Sequence, residues 1–411
     1  MKITGSMDRH YENMGEKQLT LAEKWKIDVE AYKKGAVNKT SAPQCIKCRY
    51  VKKGDALHCN VYKEERKPRY VMFPHKECPS FCSDDILEVN VSDVKCDKIY
   101  GGFFGFCVGD MLGVPVEFST RSERENDPVE ELRAYGTYHQ TFGTWSDDTS
   151  LMLCLIDALN VGFSQEKLKE NMIYFYTRGK FTPHGEVFDI GNATRDAIHN
   201  MIQGIPPVDC GGKREKDNGN GSLMRILPLA FVSKSYTDEE LIKLVENVSS
   251  FTHAHDRSKF ACIFYVKLAA ELFVGKEKME AFDSAIGFVD KNCGKKYADE
   301  RKNFETILNK DIIYTEKSRI RSTGYVIDTL EAVLWLFFHT ESYRDVVLNA
   351  VNLGGDTDTI AALAGGIAGI YYGFRSIPDN WVQNICRKHE ISDMILTFCC
   401  SVFQNGTEEC K

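Results

Sequence analysis

The sequence predicts an all-α body preceded by a small cysteine-rich, metal-binding module, in a chain of 411 residues. Three observations support this. After residue 96, apolar residues recur at helical spacing, and alternating strand patterns are nearly absent. Before residue 96, cysteines cluster at short intervals. We therefore expect two parts: 1–95, a basic arm with a zinc-like module, and 96–411, a helical domain.

The helical pattern is clearest in five segments of the body. They are 151–159, 241–248, 260–273, 325–338 and 358–372. Two helices also carry glycine or alanine at every fourth residue, from Gly101 to Gly113 and from Ala361 to Gly373. Glycine inside a helix costs ~1 kcal/mol relative to alanine, so we expect these stripes to permit close helix packing. Because the two helices reach Asp110 and Asp356, their packing would gather acidic residues near the centre.

Composition excludes several classes of protein. The net charge is −7, yet residues 1–70 hold 16 basic against 9 acidic residues. A basic head could dock onto an acidic partner or nucleic acid, but its acids and bases interleave as on a solvated helix, so we expect no nucleic acid partner. No run of eighteen apolar residues exists, so we expect no membrane span. Several of the fifteen cysteines lie in apolar helical patterns, which suits a reducing cytoplasm.

The N-terminal cysteines have spacing typical of a structural metal site. Cys45 and Cys48 form a Cys-x2-Cys pair, and Cys59 and Cys78 complete four soft ligands of the kind that zinc takes. Cys82 is the alternative fourth ligand, and an iron–sulfur cluster would use the same thiols. Free or disulfide-linked cysteines are the remaining interpretation.

Two acidic clusters carry the main functional signal. Residues 145–149 (WSDDT) and 354–359 (GGDTDT) each place two carboxylates and a hydroxyl just before an apolar helix. Such residues also suit a helix N-terminus, and one cluster alone would need no further explanation. Two clusters with the same arrangement favour a hard divalent cation bound by oxygen ligands. The two roles can coexist.

A glycine-rich loop adds a second feature. The backbone amides of Gly219, Asn220, Gly221 and Ser222 could face a pyrophosphate, with a helix N-terminus behind them. A simple turn is the alternative for such a loop in isolation. His253 is expected to contact the ligand, although a lone histidine is more often structural.

Six short motifs follow one another along the body. They are 109–117 (GDMLGVPVE), 145–149 (WSDDT), 188–192 (FDIGN), 219–225 (GNGSLMR), 252–255 (THAH) and 352–359 (NLGGDTDT). In this order they resemble the ADP-ribosylglycohydrolase family, the dinitrogenase-reductase-activating type of hydrolase. The resemblance runs from about residue 99 to about residue 373 and does not reach the head.

The resemblance implies a compact orthogonal multi-helix domain with two magnesium or manganese ions in a central cleft. It assigns metal binding to Ser146, Asp147, Asp148, Asp356, Asp358 and Thr359. Many members have threonine where this chain has Ser146, and the hydroxyl is kept. The implied catalytic residues are Asp147, Glu117 and Asp189, of which Asp189 matches a carboxylate associated with action on arginine. The candidate substrate-binding residues are Gly191, Asn220, Gly221, Ser222, His253 and Gly355.

The function implied is hydrolysis that removes ADP-ribose from an ADP-ribosylated protein, cleaving the N-glycosidic bond to arginine. Carboxylates suit this chemistry because they stabilise an oxocarbenium-like state and manage protons. A hydrolase of a serine-linked or O-acetyl-linked ADP-ribose is one alternative. The other is an immunity protein that neutralises an ADP-ribosylating toxin by binding it through the head.

Overall fold

The computed structural model of the chain describes residues 51–52, 55–59, 86–91, 93–141 and 143–403. The chain divides into two units, Met1–Ile86 and Leu87–Lys411. Leu87 and Val91 are buried in the core of the second unit.

The described part of the first unit is a short hairpin. Strand β1 (Val51–Lys52) pairs antiparallel with β2 (Asp55–Cys59). Three of the predicted zinc ligands and the alternative fourth lie outside the described residues: Cys45, Cys48, Cys78 and Cys82. Cys59 is the last residue of β2. The metal-binding module therefore stays a prediction.

The second unit is built of helices, as the sequence predicts. The α-helices described are α1 (Val94–Gly113), α2 (Arg121–Asn126), α3 (Asp147–Asn160), α4 (Gln165–Arg178), α5 (Asn192–Ile202), α6 (Pro228–Val232), α7 (Asp238–Ser250), α8 (Asp256–Phe273), α9 (Lys278–Cys293), α10 (Ala298–Arg301), α11 (Glu305–Leu308), α12 (Val326–Phe338), α13 (Tyr343–Val351), α14 (Thr357–Tyr372), α15 (Asp379–Asn384) and α16 (Lys388–Phe403). The five segments predicted from periodicity lie in α3, α7, α8, α12 and α14. The prediction of an all-α body is confirmed.

The centre of the unit is the crossing of α1 and α14, where the two stripes of small residues face each other. A Cβ atom added to Gly101 would lie 2.2 Å from the Gly369 carbonyl oxygen. A Cβ atom added to Gly105 would lie 2.5 Å from the Gly365 carbonyl oxygen, and one added to Gly109 would lie 2.0 Å from the Ala361 carbonyl oxygen. Real side chains cannot fit at such distances, so the glycines allow the two backbones to touch. The role predicted for the stripes is confirmed.

One described helix, Val94–Val116, is long and apolar enough by composition to cross a membrane, and 94% of its apolar window is buried inside the protein. Other helices cover it. The Phe103 ring lies 4.9 Å from Phe231 and 5.2 Å from Phe398, between ring centroids. Burial by protein explains the apolar composition of this segment.

Two helix N-termini position the acidic clusters. The Ser146 side chain caps α3 by accepting a hydrogen bond of 3.2 Å from the Asp148 amide. Helix α14 follows Gly354 and Gly355, whose φ angles are +73° and +76°. That left-handed conformation favours glycine, and it turns the chain sharply into α14, with Asp356 as the cap residue. Both clusters therefore lie in the first turn of a buried helix.

Candidate active site and metal centre

The two acidic clusters meet in one site, together with Glu117. One oxygen from each of Glu117, Asp356 and Asp358 can lie within 4.8 Å of the others. Asp147 and Asp148 belong to the same group, because the charge of Asp356 acts on Asp148 and the charge of Glu117 acts on Asp147. Residues more than two hundred positions apart thus form a single carboxylate cluster.

Crowding and burial raise the pKa values of these carboxyls. Desolvation, followed by the charges of neighbouring carboxylates, raises the pKa of Asp147, Asp148 and Asp358 well above the ordinary value. The pKa of Glu117 rises to about 10 for the same reasons, and among the neighbouring charges Asp189 has the largest effect. Divalent cations relieve such repulsion directly, since they supply the missing positive charge.

Unpaired oxygens in the cluster also fit a metal. Glu117 Oε2, Asp148 Oδ2 and Asp358 Oδ1 are buried and have no hydrogen-bond partner among the described residues. Buried polar atoms are normally satisfied, so these three oxygens are free to act as ligands. Carboxylate oxygens are the donors that magnesium and manganese prefer. The donor set therefore fits hard divalent ions.

Asp110 orients the first acidic cluster through hydrogen bonds. The sequence motifs do not predict it as a site residue. Its carboxylate is fully buried and accepts hydrogen bonds from the Ser146 amide (2.9 Å), the Thr149 amide (3.0 Å) and the Thr149 hydroxyl (2.6 Å). These bonds hold both ends of the segment that carries Asp147 and Asp148. Burial raises the pKa of Asp110 to about 6, against the lowering effect of the three donors.

The turn that contains Gly355 locks the segment after Glu117. The Phe118 amide donates to the Gly355 carbonyl (2.7 Å), and the Gly355 amide donates to the Ser119 carbonyl (2.7 Å). Gly355 itself packs against Ser322, where an added Cβ would lie 2.0 Å from a carbonyl oxygen. The structure thus gives Gly355 a backbone role, away from the cavity lining.

Glu117 and Asp189 meet at Tyr138, a residue that no sequence motif indicates. The Tyr138 hydroxyl donates a hydrogen bond to Asp189 Oδ1 and contacts the Glu117 carboxyl. Asp189 has a φ of +60°, which is uncommon for a residue other than glycine. The two carboxyls and the phenol form a connected hydrogen-bonding group on one side of the cluster.

The glycine-rich loop connects to the cluster through Asn220. Its side-chain amide donates to Asp356 Oδ2 (2.7 Å) and to the Thr329 hydroxyl (3.0 Å). Ser222 lies elsewhere: its side chain is fully buried and bonds to the Ser249 hydroxyl at 3.0 Å. The structure therefore does not bring the Ser222 hydroxyl to the cavity.

His253 lies under this loop. Its ring is 3% exposed, and its Nδ1 lies 2.8 Å from the Thr252 hydroxyl. Burial, with the charge of Arg225, lowers the pKa of His253 to about 3, so the ring is neutral at physiological pH. An added Cβ on Gly221 would lie 2.7 Å from this ring, which explains glycine at that position.

Arg225 is a buried cation behind the loop. Its guanidinium is fully buried and donates to the carbonyl oxygens of Gly221 and Val248. Burial lowers the pKa of Arg225 to about 10, which leaves it charged at neutral pH. The arginine thereby fixes the orientation of the Gly221 peptide.

A cavity of about 310 Å³ opens above the cluster. Its walls combine the carboxylates, the loop and the first turn of α5. The lining residues include Glu117, Phe118, Asp147, Asp148, Asp189, Gly191, Asn192, Ala193, Thr194, Lys216, Asn220, Gly221, His253, Asp356 and Thr359. Gly191 caps α5 and has no side chain that could accept from the first-turn amides. The residues of that first turn, Asn192, Ala193 and Thr194, line the cavity, and backbone amides at a helix N-terminus are suited to binding an anion.

Comparisons with known proteins identify the family of this chain. Residues 91–406 match the ADP-ribosylglycohydrolase family. The chain is 33% identical to "ADP-ribosylarginine hydrolase Tri1" of Pseudomonas putida (strain GB-1), over 72% of this chain and 76% of that protein. It is 30% identical to the protein of the same name from Serratia proteamaculans (strain 568), over 72% and 78%.

The fold comparison points the same way. A solved structure described as an ADP-ribosylglycohydrolase-related protein complex has a TM-score of 0.62 and 26% identity, and the match covers 75% of this chain and 99% of that one. The family match includes every acidic residue of the cluster. This chain belongs to the ADP-ribosylglycohydrolase family, and it is a glycosyl hydrolase.

Proposed function

We propose that this protein hydrolyses the N-glycosidic bond between ADP-ribose and an arginine side chain of a modified protein, with two magnesium or manganese ions bound at the carboxylate cluster. One observation carries the proposal. Glu117 and Asp189, joined through Tyr138, lie beside the buried cluster inside a single cavity. This arrangement supports the proposal because it would let proton-transferring carboxyls act next to a bound cation.

The residues proposed to hold the metal ions come from both helix N-termini. They are Ser146, Asp147, Asp148, Asp356, Asp358 and Thr359, as the resemblance implies. Bound divalent ions would supply positive charge for the ribose hydroxyls and for a water molecule. Asn220 and Asp110 orient the ligands through the hydrogen bonds described above, as outer groups do in metal sites generally.

The other end of the cavity suits the pyrophosphate of ADP-ribose. The cavity is lined by the first turn of α5, which has no side-chain cap, by the Gly219–Gly221 loop and by Lys216. Backbone amides at a helix N-terminus bind anions. Arg225 adds positive charge from behind the loop. Bound ADP-ribose would then extend from the α5 amides and the glycine-rich loop, at its pyrophosphate, to the carboxylate cluster, at its terminal ribose.

The proposed reaction is a hydrolysis of the glycosidic bond by one water molecule. Water attacks the anomeric carbon (C1″) of the terminal ribose, the bond from this carbon to the guanidinium nitrogen breaks, and the products are ADP-ribose and unmodified arginine. A carboxylate takes a proton from the water, and the departing nitrogen gains one. Glu117, Asp189 and Asp147 are the groups placed to exchange these protons, and such general acid–base help is typically worth ~10²–10⁴-fold in rate.

Asp189 favours arginine as the leaving group. A guanidinium is a fixed cation whose planar set of donors matches a carboxylate. The relatives named ADP-ribosylarginine hydrolase support the same linkage. Serine-linked and O-acetyl-linked substrates remain the alternatives to be tested. The toxin-binding alternative depends on the basic head, whose residues 1–50 lie outside the described part of the chain.

The test measures release of ADP-ribose from an ADP-ribosylarginine protein, with magnesium, with manganese and with EDTA. We expect metal-dependent release, and a loss of activity in the double variant Asp147→Asn/Asp356→Asn, which keeps side-chain volume. Asp311→Asn, the same change at an exposed aspartate, serves as the control. Absence of release with either metal, or full activity of the double variant, would overturn the proposal.

A further inference from the structure

Phe118 has an unusual conformation at the mouth of the cavity. It follows Glu117 directly, lines the cavity, and has a φ of +61° although it is a bulky residue. Its side chain is 67% exposed. The hydrogen bond from its amide to the Gly355 carbonyl maintains this conformation. An apolar ring is thus held in solvent at the entrance instead of being packed in the core.

Two further rings continue from Phe118. The Tyr138 ring centroid lies 6.4 Å from that of Phe118 and 5.3 Å from that of Phe188. The three rings are here called the aromatic rim. Because the Tyr138 hydroxyl bonds to Asp189 and contacts Glu117, the aromatic rim lies directly beside two carboxyls.

This combination suits a guanidinium better than a neutral group. Cations are attracted to the faces of aromatic rings, and arginine stacks on them most readily. Carboxylates bind the same group through paired hydrogen bonds. A serine hydroxyl and an acetyl ester are both neutral. An entrance lined by polar groups without aromatic rings would therefore bind those leaving groups as well as the aromatic rim does.

We propose that the aromatic rim is the specificity site for the leaving group, with Phe118 stacking on the guanidinium of the ADP-ribosylated arginine. This inference rests on the proposed function and adds the residues that select the linkage. Phe118 contacts the protein side of the scissile bond, whereas the amides of α5 and the glycine-rich loop contact the ADP-ribose side. Selection of arginine therefore depends on a residue outside the metal cluster.

The test compares kcat/KM for ADP-ribosylarginine with kcat/KM for O-acetyl-ADP-ribose in the full chain. For Phe118→Leu we expect the ratio of the two values to fall about two- to fivefold, the range for one exposed cation–π contact. Phe118→Tyr keeps a ring and should keep the wild-type ratio. Tyr314→Leu, at an exposed aromatic residue that is 83% accessible, is the control and should leave the ratio unchanged.

The outcomes separate the two proposals. If the wild-type protein does not release ADP-ribose from arginine, the proposed function and this inference both fail. If the wild-type protein does so but Phe118→Leu leaves the ratio unchanged, only the inference fails. The inference also fails if Phe118→Tyr lowers the ratio as much as Phe118→Leu, because the aromatic ring would then not be the selecting feature.

Discussion

The side-chain amide of Asn220 donates a hydrogen bond of 2.7 Å to Oδ2 of Asp356. This bond joins the glycine-rich loop to the carboxylate cluster. A second bond, to the Thr329 hydroxyl at 3.0 Å, uses the other amide proton. Asn220 therefore orients a predicted metal ligand and holds the loop at the same time.

We expect Asn220→Ala to weaken metal binding. Loss of the amide leaves the Asp356 carboxylate free to rotate, and changes in groups that orient metal ligands typically cost about 10–100-fold in metal affinity or activity. Titration of the apo protein with manganese by calorimetry would measure this. Asn349→Ala, which removes an exposed amide that donates to the Asp345 carbonyl, is the matched control. Equal manganese affinity in both variants would contradict the role assigned to Asn220.

A second prediction concerns the crossing of α1 and α14. In Gly109→Ala the new methyl group would meet the Ala361 carbonyl 2.0 Å away, and backbone cannot rotate aside. Overpacking of this kind costs about 1–3 kcal/mol or more of unfolding free energy. Gly287→Ala, in the exposed face of α9 with nothing within 4 Å, should instead stabilise the protein by ~0.5–1 kcal/mol. Urea unfolding of both variants measures the change in unfolding free energy relative to the wild-type protein. Changes of the same sign in the two variants would contradict the prediction.

The sequence predicted the elements that depend on local pattern. Apolar periodicity located the long helices, and the spacing of small residues indicated that α1 and α14 pack closely. The order of the motifs predicted that Asp147 and Asp356 belong to the same site. These features are periodic or contiguous in the chain, which is why they can be recognised without coordinates.

Residues that act across the fold could not be recognised in this way. Tyr138 lies between recognised motifs, in a loop whose sequence has no functional pattern, and only the fold brings it to Glu117 and Asp189. Arg225 is the last residue of a motif in the sequence, but its burial depends on α7 packing behind the loop. The position of Ser222 in the same motif predicts substrate binding, yet its hydroxyl faces the core.

Asp110 leads to a third prediction. In Asp110→Asn, one carboxylate oxygen is replaced by an NH₂ group, which cannot accept a hydrogen bond. At least one of the donors from Ser146 and Thr149 then faces this NH₂ group and loses its acceptor. A buried donor left without an acceptor costs about 1–3 kcal/mol, so Asp110→Asn should lower the unfolding free energy by that amount. Thr149→Val removes one of these bonds alone and should cost less, ~1 kcal/mol. Denaturant unfolding in the presence of EDTA separates this effect from metal binding. A larger loss in Thr149→Val than in Asp110→Asn would contradict the account.

The buried His253 makes stability depend on pH. Its pKa is about 3 in the folded protein, whereas an unfolded histidine titrates near 6.5. Between these two values the unfolded chain binds more protons than the folded chain, so the stabilising effect of a neutral His253 is complete above pH ~6.5 and declines as the pH falls.

For this reason, the unfolding free energy of the wild-type protein should fall by roughly 1.5 kcal/mol more than that of His253→Gln between about pH 6.5 and about pH 5. Glutamine retains polar groups without a titrating proton, and the other titrating groups are common to both proteins, so their contributions cancel in the difference. Urea unfolding at several pH values, with EDTA present throughout, measures the two slopes. His199→Gln makes the same change at an exposed position and controls for loss of an imidazole. Parallel slopes for the wild-type protein and His253→Gln would mean that the folded protein accommodates a charged imidazole under the glycine-rich loop, and the neutral role assigned to His253 would be wrong.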